Sequence, residues 1–198
     1  EGAEDNAGQG TADLRAIDAV DAPLATQDLV AAYLRIIDQE LQIRLDLLDQ
    51  DSLIDYDLYL VLDTQAGGTN RLPLEATAGI QWDTLLIVPA SGNIQALDSN
   101  LASRPATAVR VVRDPILDTT VISLDREALA NPGLGDWPNT HFALQVYLTP
   151  AASLMPADQL GPLQSDQPPP PPAHTLLAFW NTFPAYTPAL ALRRWDGA

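Results

Sequence analysis

From residue 13 to about residue 150, short runs of apolar residues alternate with polar ones and stop at Gly, Pro, Asn and Asp. The clearest run places Leu41, Ile43, Leu45 and Leu47 on one side, with Glu40, Gln42, Arg44 and Asp46 on the other. A period of two with one polar side predicts an antiparallel strand with one wet face. The preceding run, 29–37, reaches it through Asp38-Gln39-Glu40, the length of a hairpin link. Residues 56–62 are apolar on both parities and rich in β-formers, which predicts a central strand covered on both faces. Gly67-Gly68-Thr69-Asn70 then forces a turn.

Further strands are expected at 14–20, 82–88, 94–97, 107–112, 119–124 and 142–148. In the last of these, Phe142, Leu144, Val146 and Leu148 share a face. A helical turn is expected over 126–130, capped by Asp125 and stopped by Asn131-Pro132-Gly133. About nine strands without a long amphipathic helix predict an all-β fold. The expected architecture is an antiparallel, jelly-roll-like sandwich with one short helical turn and a Pro-rich C-terminal extension. A βαβ arrangement would need crossover helices that the pattern lacks.

The ends differ from the middle. Residues 1–12 are small, polar and acidic, and read as a disordered leader ahead of a 13–150 sandwich module. A Pro-rich linker is expected over 151–173. Its run Pro168 to Pro172 spans about 15 Å as polyproline II. In the tail, 174–198, an apolar strand-like run precedes Thr187-Pro188, the start of a short helix with Arg193 and Arg194 in its last turn. This tail either docks on the sandwich or opens an adjacent domain of the same chain, with any enzyme lying beyond Ala198.

One stretch resembles a known family. Tyr33-Leu34-Arg35-Ile36-Ile37-Asp38, with one residue more before its Asp, and Leu41-Gln42-Ile43-Arg44-Leu45 and Asp57-Leu58-Tyr59-Leu60-Val61-Leu62-Asp63 are close to a pattern of the type Y-x-R-x-D, L-x-I-R-L and D-L-Y-L-x-L-D. This resembles the front half of the family 9 carbohydrate-binding module and DOMON-like β-sandwiches. Residues 121–149 are similar to the closing part of the same pattern, and together the resemblance spans roughly 13–150. It implies a non-catalytic accessory module of a larger secreted or cell-surface bacterial protein, with a glycan as ligand.

Composition narrows the chemistry. The chain has 198 residues, 26 Asp and Glu against 10 Lys and Arg, a net charge of −16 and no cysteine. All ten cations are Arg and 21 of the acids are Asp. Such a negative field disfavours nucleic acid and anionic membrane surfaces, which bind through counterion release and positive charge. No run has the ~18 apolar residues of a membrane span, so membrane insertion is not expected. Without Cys there is no thiolate nucleophile and no Cys-based metal centre. Only His141 and His174 remain for His-based chemistry, and Met155 is the sole Met, so neither a His triad nor haem ligation is expected. There is no Gly-x-Ser-x-Gly elbow, P-loop or His-Glu-x-x-His motif. No resident cofactor and no enzyme activity are expected within these residues.

Two groups of residues are candidate sites. Trp137 lies in a Gly-rich loop beside Asp136 and Asn139, where a flat aromatic face with neighbouring hydrogen-bond formers suits a sugar ring. Asn70 and Arg71 are candidates to complete that platform. The competing reading of Trp137 is a loop residue that caps the core, and Trp82 is expected in the core itself. Asp49, Asp51 and Asp55 supply oxygens of the kind calcium takes, although the spacing departs from an EF-hand loop. The competing reading is a solvated acidic loop.

Overall fold

The computed structural model describes residues 13–37, 40–107, 109–125 and 141–166. Thirteen strands are found there: β1 (Asp13–Ile17), β2 (Leu29–Ile37), β3 (Glu40–Leu47), β4 (Tyr56–Asp63), β5 (Thr69–Arg71), β6 (Thr77–Trp82), β7 (Thr84–Val88), β8 (Gln95–Asp98), β9 (Ser103–Arg104), β10 (Val109–Asp114), β11 (Thr119–Leu124), β12 (Ala143–Pro150) and β13 (Asp158–Gln164). One 3-10 turn, Ala25–Gln27, precedes β2. The strands form a five-stranded sheet in the order β1-β2-β3-β11-β10 and a six-stranded sheet in the order β13-β12-β4-β7-β8-β9. A separate β5-β6 hairpin completes the set. All pairings are antiparallel. The fold is an all-β sandwich.

Its core follows from the alternation in the sequence. Leu41, Ile43, Leu45 and Leu47 are all buried and meet Leu58, Leu60 and Leu62 of β4, with Phe142, Leu144, Val146 and Leu148 at β12. These side chains join the inner faces of the two large sheets. Because β4 lies between β12 and β7, its other parity must also find cover. Tyr59 and Val61 find it in a second cluster with Leu85, Ile87, Tyr147, Ala78 and Trp82. The β5-β6 hairpin is thus a third layer on the outer face of the six-stranded sheet. Trp82 is fully buried there and donates Nε1–H to Arg71 O at 3.1 Å. Tyr147 Oη donates to Thr77 O at 3.2 Å, and Gly79 N–H donates to Gln145 Oε1 at 2.8 Å.

Each of the nine expected strands is present, and four more accompany them. The run expected at 82–88 is broken at Asp83, which turns the chain from β6 in the hairpin to β7 in the six-stranded sheet. The carboxylate of Asp83 accepts Thr64 and Gln65 N–H and the Thr64 and Thr84 hydroxyls, fixing that corner. The boundary at 150 is corrected: β13 pairs with β12, so part of the expected 151–173 linker is an edge strand of the sandwich. Its Gly161-Pro162 pair is tolerated because an edge strand can leave one row of donors unpaired. The helical turn expected at 126–130, the leader and the tail lie outside the described residues.

Candidate functional site

The outer face of the six-stranded sheet carries the β5-β6 hairpin, whereas the described residues place no third layer on the outer face of the five-stranded sheet. The sequence makes this second face polar, because the positions between the buried leucines of β3 are Glu40, Gln42, Arg44 and Asp46. Register then aligns the polar residues of neighbouring strands. Arg35 pairs with Gln42, Gln42 with Ser123, and Ser123 with Arg110. Paired residues share a face, so these four form a row across β2, β3, β11 and β10, about 14 Å long at ~4.8 Å per strand. The adjacent row runs Tyr33, Arg44, Val121 and Val112. One row carries hydrogen-bonding groups, with Ser123 buried among them and bonded to Glu40; the other carries an aromatic ring and two apolar side chains.

Several of these side chains are already held. Arg44 Nε donates to Asp46 Oδ1 at 2.7 Å and its Nη2 donates to Oδ2 at 3.2 Å. That fork holds the guanidinium 5.0 Å from the centre of the Tyr33 ring. Burial pushes the Tyr33 hydroxyl up from its usual range, and the nearby Asp46 charge adds to the effect. Burial also raises the Asp46 carboxyl, against the lowering effect of Arg44. In the other row, Glu40 accepts from Gln42 Nε2 at 2.6 Å and from Arg110 Nη2. The Gln42 hydrogen bond, helped by Arg110, holds the Glu40 carboxyl below its usual range. Arg35 Nε is buried and has no hydrogen-bond partner among the described residues. Three arginines, Arg35, Arg44 and Arg110, against Glu40, Asp46 and Asp114 balance the charge on this face of a chain whose net charge is −16.

The residues singled out from the sequence are distributed differently. Asn70 and Arg71 lie exposed on β5, in the outer hairpin and away from this face. Trp137, Asp136 and Asn139 lie outside the described residues. Trp82 is a core residue, as expected. Asp49, Asp51 and Asp55 are not gathered into a metal site, and no three His, Asp or Glu are so gathered among the described residues. Asp55 Oδ2 instead accepts from Thr26 Oγ1 at 3.3 Å and Gln27 Nε2 at 3.4 Å, anchoring the 3-10 turn. Polar parity in β3 marked one side of that strand as wet. Its continuation through Ser123 and Arg110 depended on register, which alternation alone does not give.

Neither a scan against models of known protein families nor a search of curated protein sequences finds a match to this chain. Among the described residues no helix is long and apolar enough to cross a membrane.

Proposed function

We propose that this chain is a non-catalytic, carbohydrate-binding module of a larger secreted or cell-surface protein, akin to the family 9 and DOMON-like sandwiches it resembles, and that it binds its glycan on the outer face of the five-stranded sheet. The observation that carries this reading is the Arg35–Gln42–Ser123–Arg110 row lying beside Tyr33 and Arg44. Glycans present hydroxyls around a ring with apolar faces. They suit a surface that pairs planar hydrogen-bond donors with an aromatic and aliphatic strip. Arginine forks match carboxylates bidentately, so the preferred glycan carries uronate or similar acidic groups. A held Arg44 and a held Gln42 lose little further freedom on binding.

The test is affinity electrophoresis against neutral and uronate-containing polysaccharides. Retardation by an acidic polysaccharide that weakens with added salt is expected. Arg35→Ala with Arg110→Ala should lower affinity roughly 10- to 100-fold, the size of one or two lost charge-assisted hydrogen bonds. Unchanged retardation in that variant, or none in the native chain, contradicts the reading.

One observation also favours a spacer role. Strand β13 is tied into the sheet up to Gln164, just before the proline run at 168–172. A stiff segment leaving a fixed edge strand would set the separation of a neighbouring domain of the same chain.

A further inference from the structure

One end of the sandwich gathers six loops, 18–28, 48–55, 72–76, 89–94, 115–118 and 151–157. Hydrogen bonds join them into one surface. Asp49 N–H donates to Ala25 O at 3.2 Å, Ala151 N–H to Asp55 O at 2.7 Å and Glu75 N–H to Leu154 O at 2.8 Å. Gln50 N–H donates to Asp118 Oδ1 at 2.9 Å. The Asp57 carboxylate accepts Ala90 N–H at 2.7 Å and Ala152 N–H at 3.0 Å. Seven of the ten large apolar side chains exposed among the described residues sit on these loops, led by Ile116 at 88% and Leu53 at 80%. The same loops hold eight Asp and Glu and no Lys or Arg. Clustered exposed apolar side chains mark interaction surfaces, and here the loops themselves carry only acidic charges, with Arg113 of β10 reaching Pro89 O beside them.

The complement of that surface is apolar and cationic, and the chain itself contains such a segment. Residues 167–195 include no acid and two arginines, Arg193 and Arg194, beside Leu190, Leu192 and Trp195. Everything else in the chain therefore sums to −18. Reach is not limiting. Strand β13 ends at the opposite end of the sandwich, about 26 Å away for strands of eight residues at ~3.3 Å each. The 27 residues from Asp166 to Arg193 can extend roughly 90 Å. A second copy meeting this end with its own acidic loops would be repelled.

We infer that the acidic, apolar loop end is the docking site for the chain's own C-terminal segment, residues 187–195. Leu190, Leu192 and Trp195 meet the Leu53, Ile116 and Leu154 side chains, and Arg193 and Arg194 lie among the loop carboxylates. This places the tail away from the sheet face, so docking and glycan binding do not compete.

Hydrogen exchange read by mass spectrometry on the full chain tests the inference, because the contact should protect both partners. Amides of 187–195 are expected to exchange at least ~10-fold more slowly in the native chain than in Leu53→Asp/Ile116→Asp. Conversely, Arg193→Glu/Arg194→Glu should remove protection from loops 48–55 and 115–118. Protection of β4 and β12 amides reports that each variant is folded. Three outcomes would overturn it: 187–195 exchanging at the rate of free peptide in the native chain, Leu101→Asp at the other end having the same effect, or protection that rises with protein concentration.

Discussion

Gly68 is where the outer hairpin depends most on a single atom. Its φ is +108°, and an added Cβ would lie 2.4 Å from Trp82 O. Gly67, with φ +101°, has no atom within 4 Å of the same position. Alanine at either site is strained by the left-handed backbone, by about 1–2 kcal/mol. Only at Gly68 must the Thr69–Trp82 pairing also move, since the clash is with backbone. Gly68→Ala is therefore expected to destabilise the protein more than Gly67→Ala, as urea midpoints at equal slope would report. Equal losses would show that Trp82 is not held by this close approach. A second residue-level expectation concerns Trp82 itself, which is fully buried with its indole N–H bonded. Trp82→Ala should cost about 3–5 kcal/mol in the same measurement.

At the scale of elements, the contact that links the sheets at their edge is ionisable. Asp158, at the start of β13, accepts Leu29 N–H of β2 through Oδ2 at 2.6 Å and Gln159 N–H through Oδ1 at 2.7 Å. Burial pushes its carboxyl up to about 6, against the lowering effect of those two N–H groups, with Asp18 and Asp28 adding repulsion. Asp18 and Asp28 are themselves raised by burial. A folded-state pKa above the unfolded value means that the folded protein binds the proton more tightly. The resulting stability is complete below the unfolded value near ~3.9 and is lost as pH rises through about 6. The melting temperature should thus be higher at pH 5 than at pH 7.5. Asp158→Asn, which keeps an acceptor for Leu29 N–H, should reduce that difference. A variant as pH-dependent as the native chain would remove Asp158 from the explanation.

Elements also show what the sequence made legible. Strands β3, β4 and β12 could be read with their inward faces because alternation, or apolar residues on both parities, leaves one arrangement that buries them. The hairpin and β13 could not. In β6 the inward positions are Ala78, Ile80 and Trp82 around Gly79, too small and broken a pattern to signal a strand. Strand β13 contains Gly161 and Pro162, which signal a break unless the strand is known to lie at an edge. The candidate sheet face was half legible. The polar parity of β3 was plain, but its alignment with Arg35, Ser123 and Arg110 came from long-range register.

Taken whole, the molecule uses its two large sheets asymmetrically. One outer face is sealed by the β5-β6 layer, and the other carries ordered arginines, Gln42, Ser123 and Tyr33. The loop end is acidic, so the acidic glycan proposed for the sheet face would be repelled there. The most direct measurement of this division is NMR mapping of amide and arginine side-chain shifts during titration with an acidic polysaccharide. Shifts are expected at Tyr33, Arg35, Gln42, Arg44, Arg110 and Ser123, with the loop end unaffected. Shifts confined to residues 133–140 around Trp137, or the absence of any, would contradict binding on the sheet.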